Sequence, residues 1–114
     1  PQLIYLAAPY SHTDPAFVEC RVKQINRFAA KMVERGLVVY SPISHSHPIA
    51  MANRKLGTDW KAWSTIAIEM LRRSDLLWVL RLKGWEQSVG IMHETQYAQS
   101  IGIPTQYVEE TYLD

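Results

Sequence analysis

A single cysteine, Cys20, stands among 114 residues. One thiol forms no intrachain disulfide and supplies no cysteine-based zinc site. The sequence also lacks any apolar run near the roughly 18 residues of a membrane span, and its N-terminus has no signal-peptide pattern. An excess of one charge is missing too: 12 Lys and Arg against 11 Asp and Glu leave a formal net charge of +1. The basic residues are scattered, so no stripe points to DNA or RNA and no cluster to a membrane surface. These absences predict a soluble, cytoplasmic domain that partners neither nucleic acid nor membrane. What is present is ordinary globular composition, 47% apolar, 20% charged and 11% aromatic, which excludes disorder and collagen-like repeats. A chain of this length buries roughly 65% of its unfolded surface, enough for one core. A single domain over residues 1–114 is expected, too small to enclose a deep pocket alone.

Hydrophobic patterning supplies the architecture. Leu3-Ile4-Tyr5-Leu6-Ala7 is apolar throughout and stops at Ala8-Pro9, as a strand buried on both faces does. Asp14 followed by Pro15 reads as an N-cap and an N1 proline. Val18, Val22, Ile25, Phe28, Met32 and Val33 then recur at helical spacing, and Gly36 sits where a C-terminal cap belongs. Leu37 to Tyr40 reads as a second strand halted by Ser41-Pro42. Residues 41–59 are irregular: Ser44-His45-Ser46-His47-Pro48 reads as loop and Ile49 to Lys55 as a short helix. Trp60, Trp63, Ala67, Met70 and Leu71 mark a helix ending near Arg72-Arg73, with both tryptophans read as packing residues. Leu76 to Leu80, including Trp78, is a third strand, and Arg81 to Gln87 a loop. Ser88 caps a helix running to Ser100, with Gly102 as its stop. Thr105 to Val108 is the last strand, and the tail from Glu109 to Asp114 reads as loose or partner-bound. Continuous apolar strands alternating with amphipathic helices predict an α/β fold, a parallel sheet of four to five strands with helices on both faces. Ligands bind such sheets beyond the carboxyl ends of the strands, at the switch in strand order. Polar and unusual residues concentrate in three loops there: Ala8 to Asp14, Ser41 to His47 and Arg81 to Ser88.

Several chemistries lack their motif. No G-x-G-x-x-G follows the first strand, Gly84 to Gly90 is not a P-loop, and no G-x-S-x-G elbow exists. His93-Glu94 is no zincin pair, because Tyr97 occupies the second histidine position. His45 and His47 would project to one side of an extended segment, but no third metal ligand accompanies them. Loop histidines at a pocket rim are the favoured reading, and no metal is expected.

The remaining candidates flank the sheet edge. Glu94 lies near the start of the last helix, where the helix dipole favours a carboxylate. Spacing alone leaves it open between a solvated helix glutamate and a carboxylate serving a crevice as nucleophile or base. Ser88 and Gly90 at that helix start can be a plain cap or an anion site suited to phosphate. Tyr5 is either a core tyrosine or a partner of the same edge. Tyr10, Trp85 and the turn at Pro9 can stack a flat ring or simply anchor their loops.

Taken together these residues resemble the nucleoside 2-deoxyribosyltransferase-like superfamily. The likeness is carried by Leu3 to Ser11, by Asp75 heading the third strand, and by Ser88-x-Gly90-x-x-x-Glu94-x-x-x-Ala98. The last pattern looks like the catalytic segment of the nucleotide N-hydrolase branch. Adding Ser41-Pro42-Ile43-Ser44-His45-Ser46-His47-Pro48 and Gly84 to Gly90, the chain looks closer still to a small bacterial and phage group of unknown function. The resemblance implies a flavodoxin-like three-layer sandwich, a homodimer and no cofactor. It implies cleavage of an N-glycosidic bond, with Glu94 as nucleophile and Tyr5 positioning it. Ala8, Pro9, Tyr10, Ser11, Ser44, His45, Trp85, Ser88 and Gly90 are then expected around the substrate. Ser88, where deoxyribosyltransferases carry aspartate, implies a nucleoside 5′-monophosphate rather than a free nucleoside. Ala67 stands where those enzymes carry another acid. A Pro9-Tyr10-Ser11-His12 turn replaces the Arg-Gly-Gly of some hydrolases, with Arg21 as an alternative source of positive charge. His45 and His93 are the candidates for protonating the leaving base.

Overall fold

Every strand of the fold points the same way. A computed structural model describes residues 1–114. It contains strands β1 (Leu3–Ala7), β2 (Val38–Tyr40), β3 (Leu76–Leu80) and β4 (Thr105–Val108) and helices α1 (Pro15–Glu34), α2 (Pro42–Ala52), α3 (Trp60–Arg72) and α4 (Val89–Ile101). The sheet order is β2-β1-β3-β4, all parallel. The chain leaves β1 to one side for β2 and later to the other for β3, so the order reverses at β1 and opens a crevice there.

Alternation along β1 sends Ile4 and Leu6 to one face and Tyr5 and Ala7 to the other. The first face packs on Val22, Ile25, Phe28 and Met32 of α1 and Ile43 of α2. The second packs on Leu71 of α3 and Ile91 and Ala98 of α4. These are three layers, helix on sheet on helix, as expected. Asp75 joins the two central strands: its backbone N–H donates to Leu3 O at 2.8 Å and its carboxylate accepts from Leu3 N at 2.7 Å.

Local chemistry sets most helix ends. Asp14 Oδ1 accepts from Ala16 N at 3.0 Å, and Pro15 opens α1. At the other end Gly36 takes φ +79°. There Gly36 N donates to Val33 O and Leu37 N to Met32 O, both at 3.0 Å, a Schellman closure that only a residue tolerant of positive φ completes readily. Asp59 and Ser88 cap α3 and α4 in the same way.

Three expectations are corrected. The segment Ser44 to Pro48 is helix, not loop, because Ser41-Pro42 repeats the arrangement of Asp14-Pro15: an extended residue, then proline at N1. Pro48 sits inside α2 and forfeits only the bond to the Ser44 carbonyl. Ile49 to Ala52 is therefore the end of α2, and Arg54–Leu56 a separate 3-10 turn. The tail, expected loose or partner-bound, folds onto its own chain. Tyr112 meets Trp78 edge-on with centroids 5.7 Å apart, Leu113 packs on the first-face core, and Glu109 pairs with Arg81. Last, His45 and His47 are helical, not loop histidines at a pocket rim; residues two apart on a helix lie about 200° apart, so His45 is exposed and His47 buried.

Candidate active site

The loop after β1, the first turn of α2, the start of α3 and the start of α4 wall a crevice of about 680 Å³. Tyr5, Ala8, Pro9, Tyr10 and Ser11 line it from β1 and its loop, and Ser88, Gly90 and Glu94 from α4. Ser44, His45 and Trp85 do not. Ser44 Oγ bonds Asn26 Oδ1 at 2.5 Å and Ser41 Oγ at 2.7 Å. His45 lies exposed beside Tyr40. Trp85 packs on the second-face core and against Tyr107. His93 is also off the wall, stacked on Trp60 at 5.0 Å with ring planes 6° apart.

Glu94 is the centre of the site. It is 6% exposed although it lies on a helix. The Tyr5 hydroxyl donates to its Oε2, and Oε1 makes no hydrogen bond within the chain. Position 90 lies one turn earlier on the same helix face, and a Cβ there would stand 3.7 Å from Oε1. A side chain at position 90 would thus come into ordinary van der Waals contact with the free oxygen. Burial raises the Glu94 pKa to about 7, against the lowering effect of the Tyr5 hydrogen bond. Near neutrality the carboxyl group is therefore divided between its acid and its base form. Tyr5 is pushed well above its ordinary range, first by burial and then by the neighbouring Glu94 charge. Tyr40, absent from the sequence candidates, lies 5.7 Å from Tyr5 and is raised by burial and then by Glu94.

Ser88 Oγ accepts from Ile91 N at 3.2 Å. That leaves the N–H groups of Val89 and Gly90 without intrahelical partners, at the positive end of the α4 dipole.

Arg21 also reaches the crevice wall, though it is only 6% exposed. Its guanidinium donates to Ser11 O and Lys83 O, each at 2.8 Å, and to Tyr10 O at 3.4 Å. Two site loops are thereby tied to one helix. Gly84 permits this approach: it takes φ +88°, and a Cβ there would lie 2.5 Å from Arg21 Nη2.

Trp60 and Trp63, read from their spacing as packing residues, instead line the crevice with Asp59 and Ala67. Their i, i+3 spacing at the start of α3 was a legible signal for one shared face, but not for which cavity that face meets. Glu69, the nearest acid to Ala67 in sequence, points away and pairs with Arg72 and Arg73, so Ala67 has no carboxylate substitute. No helix is long and apolar enough to cross a membrane.

The four-stranded parallel sheet between two layers of helices is a nucleoside 2-deoxyribosyltransferase-like fold. A solved 2-deoxyribosyltransferase from the psychrotolerant bacterium Bacillus psychrosaccharolyticus shares it, with a TM-score of 0.66 and 18% identity over 94% of this chain and 72% of that one. The chain belongs to the family described as Domain of unknown function (DUF1937), whose profile matches residues 2–110. No curated protein matches it in sequence.

Proposed function

We propose that this protein cleaves the N-glycosidic bond of a nucleoside 5′-monophosphate, with Glu94 as nucleophile. The observation that carries the proposal is a buried carboxylate with one oxygen held by Tyr5 and the other free, on the wall of a crevice. The free oxygen attacks the anomeric carbon, the base departs with the bond's electron pair, and a glycosyl–enzyme ester forms. Water or a second base then resolves it, which separates hydrolase from transferase. The ionised carboxylate also faces the positive charge that develops at the sugar. The phosphate is received by the Val89 and Gly90 N–H groups beside Ser88. Trp60 and Trp63 offer apolar faces to the base. The shared fold of the 2-deoxyribosyltransferase supports the reaction class.

The reading includes a homodimer in which a second copy completes the crevice. Ile66, Val89 and Met92 of α3 and α4 are 43%, 56% and 46% exposed, an apolar surface beside the crevice that a second copy would cover. Light scattering that reports a monomer would contradict this part alone.

The deciding experiment is a chromatographic screen for base release across nucleosides and nucleoside 5′-monophosphates. Release from monophosphates, lost in Glu94→Gln with unfolding temperature preserved, supports the proposal. No release from any of them sinks it. Adding a second base and looking for exchange separates transferase from hydrolase. One observation favours a second reading, a nucleotide-binding module without turnover: Glu94 is partly protonated near neutrality and has no neighbouring carboxylate, since Ala67 and Ser88 stand where the resemblance places acids. Nucleotide-induced thermal stabilisation that survives Glu94→Ala, with no turnover, would select it.

A further inference from the structure

A chain of hydrogen bonds runs from the crevice to solvent through three segments far apart in sequence. Tyr10 lines the crevice, and its hydroxyl lies 2.7 Å from His47 Nδ1. His47 Nε2 lies 2.8 Å from Glu19 Oε1. His47 is 8% exposed, whereas the Glu19 side chain is 54% exposed, so the far end of the chain meets water. The loop after β1, α2 and α1 each contribute one member. An ionised carboxylate only accepts, so Nε2 carries a hydrogen. In neutral His47, Nδ1 then accepts from the Tyr10 hydroxyl. In the imidazolium, Nδ1 donates to the Tyr10 oxygen and frees the phenolic hydrogen to point elsewhere.

The other titratable side chains on the wall lack this backing. Tyr5 donates to Glu94, and Asp59 accepts from Ala62 N at 2.9 Å. Arg21 is held by backbone carbonyls. His12 and Lys61 are exposed. The two histidines expected to protonate the base, His45 and His93, are off the wall.

We propose that Tyr10, backed by His47 and Glu19, donates the proton that the departing base takes up and recovers one from the attacking water. This rests on the reading of Glu94 as nucleophile. In the first half, Glu94 bonds to the anomeric carbon as the C–N bond breaks onto the base nitrogen. The Tyr10 proton passes to that nitrogen and the His47 Nδ1 proton to the Tyr10 oxygen, leaving neutral imidazole. In the second half, water bonds to the same carbon and the ester bond returns its electron pair to Glu94. The proton of the water passes to the Tyr10 oxygen, and the phenolic proton returns to Nδ1. The sum is nucleotide plus water giving free base plus sugar phosphate. Tyr10 touches the base; His47 and Glu19 are positioning residues that act through it.

The test compares leaving groups. Base release is followed for ordinary purine and pyrimidine nucleoside 5′-monophosphates. It is followed in parallel for the monophosphates of N7-methylguanosine and nicotinamide riboside, whose cationic bases leave without taking up a proton. Tyr10→Phe and His47→Gln are expected to lower kcat/KM on ordinary bases by about 100-fold, within the range of general acid–base catalysis, and on cationic bases far less. Glu19→Gln is expected to show the same selectivity more weakly. Because both substrate types are read on one preparation, a folding defect lowers both alike. Equal losses on the two types overturn the relay while leaving the Glu94 reading intact. Wild-type protein that releases no base of either type overturns both.

Discussion

The Tyr5 hydroxyl donates to Glu94 Oε2 across 89 positions of sequence. This bond joins the central strand β1 to the helix that follows β3, directly over the switch in strand order. Tyr5 is fully buried and Glu94 nearly so, so the pair is shielded from water except at the crevice wall that both line. One side chain holds the other in place while leaving its second oxygen free.

The buried carboxyl group makes stability depend on pH. Its pKa is raised to about 7 in the folded protein from an ordinary 4.5. Below about pH 4.5 both states are protonated and stability is greatest as far as this group is concerned. Between 4.5 and 7 the unfolded chain binds fewer protons than the folded one, so stability falls as pH rises and levels off above 7. The full loss is on the order of 3 kcal/mol. Urea unfolding across pH 4–8 should show the decline, and Glu94→Gln should flatten it. A wild-type curve as flat as that of the variant would contradict the raised value.

Base release from the monophosphates with cationic bases, which draw no proton from Tyr10 and His47, should rise with pH through about 7 as Glu94 ionises. Removing the Tyr5 hydroxyl removes the one interaction that lowers this pKa. Tyr5→Phe is therefore expected to move the rising limb of kcat/KM to higher pH. It should also cost about 1–3 kcal/mol above pH 7, where it strands a buried carboxylate oxygen. An unmoved limb would mean that Tyr5 is only a core residue.

Ser88 separates capping from recognition. Ser88→Asp keeps a side-chain oxygen for the Ile91 N–H, so stability should change by less than about 1 kcal/mol. It also places negative charge where the phosphate is proposed to sit. KM for a monophosphate should rise at least about 10-fold, equivalent to 1.4 kcal/mol, while the matching nucleoside is affected less. Parallel changes for both substrates would move the phosphate away from the α4 N-terminus.

Gly84 is constrained twice, by φ +88° and by Arg21 Nη2, which an added Cβ would meet at 2.5 Å. Gly84→Ala should destabilise by about 1–3 kcal/mol and loosen the two loops that Arg21 ties together. Gly36 also takes a positive φ, +79°, but has open space around it. Gly36→Ala therefore carries only the conformational cost and should lose less. Equal unfolding temperatures for the two variants would discount the Arg21 contact.

Much of the fold was legible because its determinants are local. The runs Leu3–Ala7 and Leu76–Leu80 announce buried strands through unbroken apolar character. Asp14-Pro15 and Gly36 bracket α1 through hydrogen bonds made within a few residues. Segment 41–48 reads as loop for a related reason: Ser41-Pro42 is a helix start as readily as a strand stop, and Pro48 reads locally as a breaker. Packing of Ile43, His47 and Ala50 against the rest of the chain decides in favour of helix.

Glu94 marks the limit of the sequence more sharply. By itself the sequence determined an α/β parallel sheet, the capped start of α4 and a glutamate one turn beyond Gly90. It left that glutamate between a solvated helix residue and a buried reactive one. Only tertiary structure decided, because desolvation comes from walls that four distant segments build together, and no spacing along one helix encodes them. The same holds for Trp60 and Trp63, whose periodicity names a face but not the cavity it meets. It holds as well for His47, whose partners Tyr10 and Glu19 are 37 and 28 positions away and reach it only once α2 packs against α1.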